Sequence, residues 1–88
     1  MKLEWQKLWD AMDANPDLWI DTTEDMFDEM LEVLPPAAMG GGAFLVGEPM
    51  THNDNGEAVY ACFARVNGAF QARYMTRREF AARQAVRS

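Results

Sequence analysis

Eighty-eight residues suffice for one domain with one core, residues 1–88, because a chain this short buries only about 60 to 65% of its unfolded surface. At 49% hydrophobic and 25% charged residues the composition is that of a packed globular protein and excludes a disordered tail. The formal net charge of -6 divides unevenly: residues 1–57 carry thirteen acids against Lys2 and Lys7, a balance of -11, and residues 58–88 carry six arginines against Glu79, a balance of +5. That asymmetry points to charged partners, or to one end folding against the other.

Trp5, Leu8, Trp9 and Met12 recur at the spacing of one helix face, so a first helix is predicted from about Leu3 to Ala14. Asn15-Pro16 ends it, since proline lacks an N–H and drives its predecessor out of the helical region. A second helix opens at Thr22 or Thr23, with Glu24 and Asp25 in a first turn that favours anions, and stops at Leu34 before Pro35-Pro36. Ala37 to Gly42, with three consecutive glycines, is predicted to be a flexible connector. The period then changes to two over Ala43 to Glu48, Ala58 to Val66 and Ala69 to Met75, which reads as a three-stranded antiparallel meander.

Asn67-Gly68 is a type I′ hairpin signal that sets Phe63 opposite Ala72 and Ala61 opposite Tyr74. One buried face follows: Val59, Ala61, Phe63, Phe70, Ala72 and Tyr74. Thr51 to Glu57 is a polar, exposed loop, and Thr76 with Glu79 forms a capping box opening a last helix from Arg77 to about Arg87. The expected fold class is α+β, with two N-terminal helices, the meander, and a C-terminal helix on one sheet face. A lone cysteine, Cys62, no export signal in the first residues, and no apolar run near the roughly 20 residues of a membrane span place the chain in the cytoplasm.

Three stretches, Met30 to Pro36, Gly47 to His52 and Ala72 to Thr76, resemble a family of short proteobacterial, plasmid- and phage-associated proteins known as domain of unknown function 1419. The resemblance implies a mobile-element origin and carries over no functional residue.

Asp25, Asp28, Glu29 and Glu32 fall at i, i+3, i+4, i+7, so four carboxylates line one side of the second helix. They cover about 10.5 Å, or about one charge per 3 Å, near the ~3.4 Å between phosphates of a DNA strand. Such a row can engage a basic protein surface; the plainer alternative is a solvated face. Trp19, outside the helical pattern, and His52, in the exposed loop, are the further candidates for partner contact.

Arg73, Arg77, Arg78, Arg83 and Arg87 give the rival reading of a nucleic-acid-binding accessory protein. A pI of about 4.5 argues against it, and pairing with the acidic half, or with a second copy as a homodimer, accounts for the same residues. A single histidine with scattered carboxylates matches no zinc spacing, and Cys62 falls in a strand predicted to be buried, so no catalytic residue, metal or cofactor is expected. The expected function is a small acidic binding or inhibitor protein that engages a basic surface, without membrane contact. The mobile-element resemblance makes an anti-CRISPR role the specific form of that expectation.

Overall fold

The structure, a computed structural model, describes the backbone of residues 3–87 and the side chains of residues 4–83. Helix α1 (Leu3–Ala14) buries Trp5, Leu8 and Met12 and ends where the Asn15 N–H reaches the Ala11 carbonyl, one residue before Pro16. A short strand, β1 (Ile20–Asp21), precedes α2 (Glu24–Val33). Thr23 rather than Thr22 caps α2, its hydroxyl accepting the Met26 N–H at 3.2 Å. The helix stops at Leu34, whose extended backbone leads into Pro35.

The strands β2 (Ala38–Gly40), β3 (Ala43–Leu45), β4 (Thr51–His52), β5 (Ala58–Val66) and β6 (Ala69–Thr76) follow, then α3 (Arg77–Arg87). They build a six-stranded antiparallel sheet in the order β1-β6-β5-β3-β2, with β4 paired to β5 beyond the end of β3. The α+β class is as expected, and so is the hairpin register: Phe63 faces Ala72 and Ala61 faces Tyr74. Asn67 and Gly68 take positive φ (52° and 82°), as the type I′ turn requires.

Three expectations about the strands and their connections need correction. The sheet is larger than a three-stranded meander, because β1, β2 and β4 add two or three residues each along its edges. These strands are too short for a period to register in the sequence. Ala37 to Gly42 is no flexible connector either: Ala38 to Gly40 pairs with β3 through a two-residue turn in which Gly41 and Gly42 both adopt positive φ (60° and 76°). Finally, the strand expected over Ala43 to Glu48 ends at Leu45. Val46 still donates to the Ala61 carbonyl and Met50 to that of Val59, but Gly47 to Pro49 loop out between them as a bulge, where Pro49 has no N–H to offer the ladder.

Both faces of the sheet are covered, not the single face expected. Phe44, Val46, Ala61, Phe63 and Ala72 pack under α1 and α2, with Val59, Phe70 and Tyr74 only half-buried at the margins. Leu45, Tyr60, Cys62, Ala64 and Met75 pack on the other side against Phe80 of α3. The layers are therefore two helices, the sheet, and one helix. Two polar contacts fix the first layer: Trp5 Nε1 donates to Glu29 Oε2 at 2.8 Å, joining α1 to α2, and the Tyr74 hydroxyl donates to Asp13 at 2.7 Å, joining α1 to β6. Burial, with the bond to Asp13, raises the Tyr74 pKa. On the far side the capping box forms as predicted: the Thr76 N–H donates to Glu79 Oε1 and the Glu79 N–H to Thr76 Oγ1, at 3.0 and 3.1 Å. No described helix is long and apolar enough to cross a membrane.

Candidate partner-binding surface

Helix α2 carries Glu24, Asp25, Asp28, Glu29 and Glu32 and no base. Its amphipathic pattern turns Met26, Phe27, Met30 and Leu31 towards the sheet, so the acids project from the remaining sides. Asp25, Asp28 and Glu32 are exposed, and among the described residues none of the three enters an ion pair or side-chain hydrogen bond. Glu29 differs from its neighbours in the row. It is half-buried and accepts from the Trp5 indole, so it holds α1 in place. The row of four resolves into three outward carboxylates and one structural one.

The arginines lie elsewhere. Arg78 pairs with Glu57 at 2.9 Å and Arg73 with Glu79 at 3.9 Å. Arg77 donates from Nε to the Tyr60 hydroxyl and from Nη1 to the Ala37 carbonyl, both at 3.2 Å, while its guanidinium covers the Tyr60 ring. Arg83 lies over Trp19, with centroid distance 5.7 Å. The acids chosen by Arg78 and Arg73 are those of the loop and of α3, not those of α2. The side chain of Arg87 lies outside the described residues.

Trp19 and His52 do not join α2 in one surface. Trp19 is half-buried and packs into the core beneath α3, across the sheet from α2. Its expected partial exposure is present, but its exposed part is shared with Arg83. His52 is exposed on β4, beside Ala58 at the end of β5 away from the Asn67-Gly68 turn. The loop after it is ordered by Asn53, whose Oδ1 accepts the N–H groups of Asn55 and Glu57 at 3.0 and 2.9 Å. Glu57 in that loop serves Arg78 and Asn53. Among the described residues no group of three or more His, Cys, Asp or Glu side chains is placed to hold a metal ion.

Cys62 has no exposed surface and its thiol pKa is pushed up to about 12 by burial, against the weaker opposing effect of Arg83 and Arg73. A thiol reagent at pH 8 is expected to leave the folded protein unlabelled and to label it at once in denaturant; prompt labelling of the native form would contradict a closed β5. The ordinary thiol value of 9.0 lies below the folded one, so this group's contribution to stability is complete below about pH 9 and is lost as the pH rises towards 12.

Sequence reasoning missed two features of this surface: Glu24, which α2 presents beside Asp28, and an apolar groove beside Phe27 and Leu31. The i, i+4 spacing of Glu24 and Asp28 was the available signal for the first. The groove depends on β2, which no local pattern announces. No family model, no curated protein and no solved structure matches the chain.

Proposed function

We propose that this chain is a stoichiometric binding protein that engages a basic surface of a larger protein or nucleoprotein through the outward face of α2. The observation that carries the reading is the exposure of Asp25, Asp28 and Glu32 on a helix without a base, while Arg73 of β6 and the described arginines of α3, Arg77, Arg78 and Arg83, are engaged with Glu79, Tyr60, Glu57 and Trp19. Like charges at helical spacing cost a few tenths of a kcal/mol per pair, which a cationic partner offsets. The same engagement of Arg73, Arg77, Arg78 and Arg83 gives the nucleic-acid reading no additional support. On the strength of the sequence resemblance to a mobile-element family, a host-defence complex of the kind anti-CRISPR proteins block is the first target class to examine.

The test is affinity capture from a bacterial lysate with the wild-type chain and with a variant combining Asp25→Asn, Asp28→Asn and Glu32→Gln. Glu29 is left intact because its loss would disturb α1. A protein with a basic surface that the wild type retains and the variant loses is the expected result. Equal recovery on both would refute the α2 surface.

A further inference from the structure

Beside α2 the sheet ends at β2, and between them lies an open groove of about 270 Å³. Phe44 forms its buried floor, Phe27 and Leu31 of α2 one wall, and Met39, Gly40 and Gly42 the opposite rim. The lining is apolar, and Met39 is 62% exposed at the rim. The two glycines place no side chain over the opening. Its volume falls short of the roughly 300 to 1,000 Å³ of small-molecule sites, which suits one or two side chains of a macromolecule.

The charge around it specifies the occupant. At about 100° per residue, Glu24 and Asp28 sit about 60° around the helix from Phe27 and Leu31, on the solvent side, with Glu32 beyond them. Glu29 lies about 160° away, towards α1, in agreement with its bond to Trp5. Among the strand residues of this sheet face Arg65 is the one base, and it rests on Phe70 at 5.9 Å. The groove is thus apolar within and acidic along its helical wall. A second copy of the chain is a poor occupant: in the described part of its cationic helix the one large apolar side chain, Phe80, is 4% exposed and belongs to the core.

We propose that this groove receives an apolar side chain from a cationic segment of a protein partner, with flanking Lys or Arg residues set against Glu24, Asp28 and Glu32. The proposal rests on the α2 reading and adds to it the apolar anchor that gives such an interface its affinity. Charge alone would attract many basic surfaces; the groove selects those with a Leu, Met or Phe between the cations.

The experiment is selection of a displayed random short-peptide library on the immobilised full chain, followed by titration of a synthetic copy of the most enriched peptide. The expected peptides carry Lys or Arg on both sides of Leu, Met or Phe. Replacing that anchor by Ser, or making Met39→Arg in the protein, should each weaken binding about tenfold or more. Glu24→Gln, Asp28→Asn and Glu32→Gln together should weaken it and flatten its salt dependence. Circular dichroism checks that the Met39→Arg variant is folded, as its exposure leads one to expect. Peptides that the acid variant loses but Met39→Arg retains overturn the groove and leave the α2 reading standing. Peptides indifferent to both variants overturn the groove proposal, and so does a selection that returns no enriched sequence; the α2 reading is then decided by the capture experiment alone. A dimer in sedimentation that Met39→Arg abolishes would assign the groove to a second copy and also overturn the proposal.

Discussion

Phe63→Ala is expected to remove about 3 to 5 kcal/mol of stability, the range for deleting a large aromatic side chain from a closed core. Phe63 has no exposed surface and sits where three parts of the fold meet. Its ring stacks on Phe44 of β3 at 5.7 Å and meets the edges or faces of Trp5 and Trp9 of α1 at 6.2 and 6.4 Å. The surrounding side chains come from different elements, so they cannot collapse together into the space left behind. A domain of this length holds only about 4 to 13 kcal/mol in total, so the variant should lose a large fraction of its stability and melt at much lower urea than the wild type. Phe70→Ala serves as the comparison: Phe70 is half-buried near the hairpin end of β6 and should cost clearly less. Equal losses from the two would mean that the helical layer does not close over β5.

Gly47→Ala is the second change expected to be severe, by about 3 kcal/mol, and for a different reason. A Cβ at position 47 would collide with the backbone carbonyl oxygen of Pro35. No rotamer change relieves a clash with backbone, so either the bulge or the α2-to-β2 link has to move. That link also sets Ala37 to donate to Leu45 and so begins the β2 pairing. The neighbouring change Glu48→Ala, at an exposed position, should stay within about 0.5 kcal/mol. Denaturation curves of the two variants check this; a Gly47→Ala protein as stable as wild type would show that the two segments do not approach each other.

These two residues also mark what was and was not legible in the sequence. The helices could be read to within a residue or two because their apolar spacing, Asn15-Pro16, Thr23 and the Thr76 to Glu79 box all act locally. The β5–β6 register followed from Asn67-Gly68 for the same reason. The unbroken apolar run Ala58 to Ala64 was a sign that β5 is covered on both faces, and a period-two reading passed over it. What escaped were tertiary events. The triple glycine makes a hairpin only because β3 has β5 to pair with, and Gly47 is required by a chain crossing from Pro35, twelve residues earlier.

The acidic row was visible, but its division was not. Spacing alone placed Glu29 with Asp25, Asp28 and Glu32, whereas the packing of α1 draws Glu29 to Trp5 and leaves Glu24 and Asp28 along the groove wall. Trp19 illustrates the same limit: its partial exposure was legible from its irregular position, but the side of the sheet was not, and the fold places it under Arg83, opposite α2. The candidate surface is consequently smaller than four acids, a tryptophan and a histidine, and it is confined to one helix and the strand beside it.

The decisive measurement is calorimetric titration of the captured partner with the wild-type chain and with the Asp25→Asn, Asp28→Asn, Glu32→Gln variant, each at low and high salt. Wild type should bind at least about tenfold more tightly at low salt and lose most of that margin at high salt, with the variant weak in both. Identical affinities and identical salt dependence for the two proteins would contradict a docking role for the outward carboxylates of α2.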